Sequence, residues 1–298
     1  MGKKCQTYPC VILIYRDNIV FMERISTIGV IGHKGMVGET VYRYFTENGF
    51  DTIGYSKTDT EFRKEVRNDC DLVFVCVPTP FDWNTHAFDG SIVDNEVANI
   101  ADGTIVVIKS TVPIGTTERL QAQYPKLKLL FNPEFLSEAT AYGDFVNPDR
   151  QFVGYTEQSK DVSIQVLNLL PESAYGAIMP SKEAELLKYI NNLHGALAVI
   201  EANHYYDVCE KEGLDYERVI KAAEASKWVG APMGRQYHNV KHKGFRGFGG
   251  KCFPKDISSW LQWCNEKGIE STLFEAVKQS NINILASQGL TMEEAEKK

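Results

Sequence analysis

Cys252 stands in the segment Gly247-Phe248-Gly249-Gly250-Lys251-Cys252-Phe253-Pro254-Lys255-Asp256. A cysteine among glycines, followed by a helix-start signal, is exposed and approachable along its backbone. Lys251 and Lys255 beside it favour the thiolate, the nucleophilic form. A cysteine near two lysines is by itself more often incidental than functional. The second chemical signal is the glycine-rich turn Gly32-His33-Lys34-Gly35-Met36-Val37-Gly38. Glycines there allow a tight turn and let the backbone approach a pyrophosphate on the N-terminus of the next helix. Gly32, Gly35, Met36, Val37 and Gly38 are therefore candidate cofactor residues, although the spacing is GxxGxxG and not GxGxxG. Lys188 and Asn192 are four apart in a helical stretch, so they share a face. They fit either a donor pair for an alkoxide or oxyanion, or an ordinary solvated face.

The elements that must carry these residues alternate from residue 25. Residues 25–31 read as a strand, 39–48 as a helix, and 51–55 as a strand. Residues 71–77 form a buried strand ending at Pro78-Thr79-Pro80. A helix over 91–101, a strand over 104–109 and a helix over 116–123 follow. Strands at 127–131 and 151–155 and a helix near 158–170 complete the set. Near-continuous apolar strands separated by helices predict an α/β fold, a Rossmann-like doubly wound parallel sheet covered on both faces. After about residue 180 the pattern becomes all-helical, with stretches at 182–213, 216–227, 256–266 and 272–286. The expected organisation is an N-terminal extension (1–24), a dinucleotide-binding domain (25–180), a helical domain (181–290) and a fraying charged tail (291–298). Met22 reads as an alternative start, with residues 1–21 dispensable for folding.

Composition excludes several classes. The chain has 298 residues, 43% hydrophobic and 24% charged, so it is neither disordered nor short of core. Its net charge of −7 argues against nucleic-acid binding. No apolar run approaches the length of a membrane span. Seven cysteines, an odd number without a CxxC pair, fit a reducing cytoplasm and no structural zinc. The second strand ends in Ser56 and Lys57, with no carboxylate where a ribose 2′-hydroxyl wants one. Ser56, Lys57 and Lys34 suit a 2′-phosphate, whereas Asp59 would serve the ribose of NAD. NADP stays open as the alternative cofactor.

The cysteine segment resembles the GFGGxCxPKD signature of the UDP-glucose 6-dehydrogenases, within the UDP-glucose/GDP-mannose dehydrogenase family. Ser110-Thr111-Val112-Pro113 resembles that family's STVP turn, Pro78-Thr79-Pro80 its VPTP strand end, and Asn147-Pro148-Asp149-Arg150 its NPDR. Asn132-Pro133-Glu134-Phe135-Leu136-Ser137-Glu138 resembles NPEFLxEG, with Ala139 in place of the glycine. Glu185-Leu186-Leu187-Lys188-Tyr189 with Asn192 resembles the start of the central helix. The resemblance implies a four-electron oxidation of a nucleotide-sugar C6 alcohol to the carboxylate, with two hydrides passing to NAD. It implies Cys252 as the nucleophile that forms a thiohemiacetal and then a thioester. It assigns Lys188 and Asn192 to the oxyanion, and Asp256 to a water and the catalytic lysine. Thr111 and Glu138 match positions that order the hydrolytic water, and Glu134 matches a further active-site carboxylate. Pro78, Thr79 and Thr111 are implied at the cofactor. Phe135, Leu136, Lys188, Asn192, Arg246, Phe248 and Gly249 are implied at the substrate.

Arg235, Lys241, Lys243, Arg246 and Lys251 occur between 235 and 251 without an acid, a patch suited to the substrate pyrophosphate or simply a solvated loop. His238 and His242 are a weak metal pair, and no metal is expected. The ending Phe253-Pro254-Lys255-Asp256 favours UDP-glucose, with GDP-mannose as an alternative. Members of this family dimerise through the helical domain, so a homodimer is implied. The chain stops where the family continues into a last Rossmann-like domain, and that domain is expected to be lacking. The glycine spacing looks like that of GDP-fucose-synthase-type NADP enzymes. Two other readings are a one-hydride enzyme of the 3-hydroxyacid dehydrogenase type, which needs no Cys252, and a nucleotide-binding subunit completed by a partner.

Overall fold

The structure, a computed structural model, describes residues 25–226, 229, 235–241 and 243–298, and the backbone pairing of Ile14–Tyr15 with Asn18–Ile19. Met22, His242, the side chain of Arg235 and two of the seven cysteines, Cys5 and Cys10, lie outside the described residues. The chain divides into two compact units. The first runs to Thr79 and resumes over Gly90–Leu186; the second comprises Pro80–Asp89 and Leu187–Lys298.

Short β-branched and apolar runs build the sheet of the first unit. Its strands are β1 (Thr27–Ile31), β2 (Asp51–Tyr55), β3 (Leu72–Val75), β4 (Ile105–Ile108), β5 (Lys128–Phe131), β6 (Arg150–Tyr155) and β7 (Tyr175–Pro180). They lie in the order β7-β6-β5-β4-β3-β1-β2. Helices α1 (Met36–Glu47), α2 (Arg63–Asn68), α3 (Ser91–Ala98), α4 (Thr116–Gln123), α5 (Ala141–Val146) and α6 (Lys160–Leu169) connect them. β1 pairs in parallel with β2 on one side and β3 on the other, which makes its C-terminal end the topological switch point where such sheets bind ligands. Phe45 of α1 packs on Phe74 of β3 at 5.2 Å between ring centroids, and both are fully buried. Aromatic burial of this kind contributes about 3–5 kcal/mol and fixes the helix that follows the glycine turn.

The fold class is as expected, with three differences. The sheet is mixed, because β6 runs antiparallel to β5. The connection 132–149 therefore stays at the edge where β5 ends, and it keeps Glu134 and Glu138 on the ligand side. Strand periodicity shows that a strand exists but not which way it runs. β7 was not anticipated; it is a half-exposed edge strand without clean alternation. The tail does not fray. Thr291 and Glu294 form a reciprocal capping box that starts helix α11 (Met292–Glu296), with Met292 and Ala295 buried.

The second unit contains most of helix α7 (Ser181–Glu212), then α8 (Tyr216–Glu224), α9 (Phe253–Lys267), α10 (Thr272–Ala286) and α11. Tyr189, Leu193, Phe245, Phe248, Ile257 and Leu285 lie in its core. The short hairpin Phe81–Asp82 with Ala87–Phe88 also belongs to it. The Trp83 indole donates to Glu296 at 2.6 Å, and the Phe88 N–H donates to Gln262 at 2.8 Å.

In the first unit, Glu185 closes the N-terminus of α4. Its carboxyl group accepts the Gly115 and Thr117 N–H groups at 2.6 and 2.9 Å and the Thr117 hydroxyl at 2.7 Å. Burial nevertheless pushes its pKa up to about 7, because desolvation outweighs these bonds. The folded state thus favours the protonated form. Its stabilising contribution, about 3 kcal/mol, is complete below the usual value of 4.5 and is lost as pH rises through about 7. Thermal midpoints measured between about pH 5 and pH 8 should fall more steeply for the wild type than for Glu185→Gln. Parallel profiles would show that Glu185 is ionised throughout.

Candidate active site

The cofactor end is built at the switch point. The Gly32 N–H donates to the Tyr55 carbonyl at 2.7 Å, tying the turn to the end of β2. A Cβ at Gly32 would lie 2.4 Å from the Cys76 carbonyl, and one at Gly38 would lie 2.1 Å from the Gly32 carbonyl, so neither position admits a side chain. Gly35 caps α1 without any side-chain acceptor, and Met36 and Val37 open the helix. The first N–H groups of α1 therefore have no capping side chain, which fits a phosphate acceptor there.

Asp59 is brought back to this turn. Ser56 and Asp59 bridge through their backbones at 2.7 and 3.2 Å, and the Asp59 carboxylate lies 2.8 Å from Lys34 and 3.6 Å from His33. The Lys34 ammonium holds the Asp59 carboxyl below its usual range. The cation that Lys34 would have offered to a 2′-phosphate is thus offset, and an acid stands beside the turn after all. Lys57 is exposed. At the neighbouring strand ends the Thr79 hydroxyl donates to the Thr111 carbonyl at 2.9 Å, and Ser110 bonds both the N–H and the carbonyl of Val77. These bonds bring Pro78, Thr79 and Thr111 together.

Lys109, at the end of β4, was not singled out from sequence. It is buried, donates to Asn132 at 2.6 Å and pairs with Glu134 at 2.9 Å. Glu134 also accepts the Phe135 N–H at 2.8 Å, so one of the two glutamates is fixed while Glu138 is exposed. The Arg150 guanidinium lies 4.4 Å over the Phe135 ring, and Leu136 packs on the core.

The second unit collects the polar residues around the cysteine. Lys188, Asn192 and Asp256 are all buried. Lys188 Nζ donates to Asn192 Oδ1 at 3.4 Å, Asn192 Nδ2 donates to Asp256, and Lys255 pairs with the other Asp256 oxygen. Cys252 is the N-cap of α9, and the Asp256 N–H donates to its carbonyl at 2.9 Å. Among the described cysteines Cys252 is exposed, whereas Cys70, Cys76, Cys209 and Cys264 are buried. Burial pushes the thiols of Cys70 and Cys76 up to about 12. Lys255, read from sequence as a neighbour that favours the thiolate, is committed to Asp256.

Other candidates are held elsewhere in the same unit. Arg246 bonds the Asn203 side chain at 3.1 Å, pairs with Asp207 at 2.6 Å and lies 4.7 Å over the Tyr206 ring. Phe248 is a core side chain, and Gly249 packs on the Ala295 carbonyl. His238 bonds Glu224 at 2.7 Å. Among the described residues there is no group of three or more His, Cys, Asp or Glu that could hold a metal, and no helix long and apolar enough to cross a membrane.

Residues 52–169 match the NAD binding domain, and residues 182–283 the central domain, of the UDP-glucose/GDP-mannose dehydrogenase family. The chain belongs to that family. The first match begins after the glycine turn, the segment whose spacing is unusual. The UDP-glucose 6-dehydrogenase of Pseudomonas aeruginosa is 30% identical over 233 residues, 72% of this chain and 49% of that protein. That of Rickettsia bellii is 32% identical over 232 residues, 74% of this chain and 51% of its own. The chain therefore spans about half the length of these curated relatives. A UDP-glucose dehydrogenase from Pyrobaculum islandicum matches in structure with a TM-score of 0.75 and 26% identity, over 93% of this chain and 73% of that one. A 3-hydroxyisobutyrate dehydrogenase from Mycobacterium tuberculosis shares the fold, with a TM-score of 0.70 at 15% identity.

The NAD binding domain match and the position of Asp59 point the same way on the cofactor. Asp59→Asn should weaken NADH binding and strengthen NADPH binding, shifting their affinity ratio by about tenfold in fluorescence titrations. An unchanged ratio would remove Asp59 from cofactor choice.

Proposed function

We propose that this chain carries the catalytic residues of an NAD-dependent nucleotide-sugar dehydrogenase that oxidises the C6 alcohol of UDP-glucose to UDP-glucuronate. The observation that supports this most is the buried chain Lys188–Asn192–Asp256, one helical turn from the exposed Cys252. Two NAD molecules, bound in turn, would each accept one hydride. The chain's own residues then have separable tasks. Lys188 and Asn192 donate hydrogen bonds to the oxygen on C6, whose charge rises during alcohol oxidation and again when sulfur adds. The Cys252 sulfur adds to the C6 aldehyde to give a thiohemiacetal; loss of the second hydride leaves a thioester. Water cleaves it, releasing the carboxylate and returning the thiolate. Asp256 holds the Asn192 amide in its donor orientation, since its carboxylate takes the Nδ2 hydrogen. By the family resemblance Thr111 and Glu138 would serve the water step, and Glu134, paired with Lys109, would be a further carboxylate of the site.

The same reading includes a homodimer through the helical unit. Ile190 and Val208, eighteen positions apart on α7, are exposed apolar residues on one face, and Tyr205 lies close to that face. Light scattering that returned a monomer would remove this part. For the reaction itself, reduced-nicotinamide absorbance should show two equivalents per UDP-glucose. Cys252→Ser should lower kcat by about a hundredfold or more. Full activity of that variant with one equivalent would select the single-hydride reading. Binding of NADH without turnover of any nucleotide sugar would select a subunit that needs a partner domain.

A further inference from the structure

The five residues preceding Lys251 are held in an unusual way. Gln288 accepts the Arg246 N–H at 2.8 Å and donates to the Arg246 carbonyl at 3.1 Å. Asn281 accepts the Phe248 N–H at 2.7 Å and donates to the Phe248 carbonyl at 3.0 Å. The Ala295 carbonyl accepts the Gly250 N–H at 2.8 Å. Every second residue is thus bonded outward, which is the pattern of a strand in a ladder. Here two side-chain amides and one helix carbonyl take the place of the neighbouring strand. Each amide turns its oxygen and one of its two N–H groups to the segment, the same pair that a peptide group offers, and gives its other N–H to Met292 or Ile284. The residues in between are glycines. A Cβ at Gly247 would lie 2.5 Å from Asn281 Oδ1, and one at Gly249 would lie 2.5 Å from the Ala295 carbonyl.

We infer that Asn281 and Gln288 are positioning residues for Cys252, and that α11 completes their work. The register of 246–250 sets where α9 begins, and α9 carries both Cys252 at its N-cap and Asp256 in its first turn. A slip of the segment would move the sulfur relative to Lys188 and Asn192. α11 is itself held by its capping box, by Met292 against the Asn281 amide and by Glu296 on Trp83. The role assigned to Cys252 rests on the proposed function; the backbone ladder does not.

Asn281 is fully buried, and its removal would disturb the core as well. Gln288 is exposed, so Gln288→Ala tests the ladder without a core defect. The expected result is about a tenfold fall in kcat with the KM for UDP-glucose changed less than about threefold and NADH affinity unchanged. Gln288→Glu keeps the acceptor and loses the donor, and it should recover part of the loss. Independently of turnover, the rate of Cys252 alkylation by iodoacetamide, read by peptide mass spectrometry, should change at least about threefold in Gln288→Ala. Wild-type kcat and an unchanged alkylation rate in Gln288→Ala would overturn the inference. An altered alkylation rate in a chain that turns over no nucleotide sugar would uphold the ladder and reject the proposed function.

Discussion

A nucleophilic cysteine must be exposed to react, so its own side chain cannot be what fixes it. Its backbone has to be held by groups on the far side. With Cys252 in the proposed role, that constraint bears on the second unit. Glycines at alternate positions clear space, the Asn281 and Gln288 amides fill it, and by the inference above they aim the helix that starts at Cys252. A loop secured only by apolar contacts would have no register, because dispersion is non-directional. Hydrogen bonds to peptide groups have one.

Buried charge is handled in three different ways. Lys109 and Glu134 meet as a direct pair at the sheet edge. Asp256 is shared between the Lys255 ammonium and the Asn192 amide, which itself accepts from Lys188. Glu185 has backbone and hydroxyl donors while nearby Lys182 pairs directly with Glu118, and there desolvation wins.

Much of the fold was legible because parallel strands buried on both faces read as continuous apolar runs, as in residues 71–77. Cys252, Lys188, Asn192 and Asp256 were legible from motif and helical spacing, and the structure gathers the last three. What stayed hidden was which partners meet. Asp59, already a candidate for the ribose, is set beside the glycine turn by a backbone bridge with Ser56 and by Lys34. Asn281 and Gln288 act on backbone groups, and backbone groups look the same under every sequence. Lys255 pairs with its immediate neighbour Asp256, a competition that a charge count around Cys252 misses. The helix in the last residues was masked by its charges, although Thr291 and Glu294 carried a capping-box spacing.

The hairpin at residues 80–89 has an evolutionary consequence. The chain leaves the first unit at Thr79 and rejoins it at Gly90, and the intervening Trp83 and Phe88 are anchored on Glu296 and Gln262, some two hundred residues further along. The two units are therefore interleaved along the polypeptide. Neither can be duplicated, swapped or inherited as one uninterrupted stretch, so recombination that treats residue 186 as a clean seam would strand an aromatic hairpin without its anchorage.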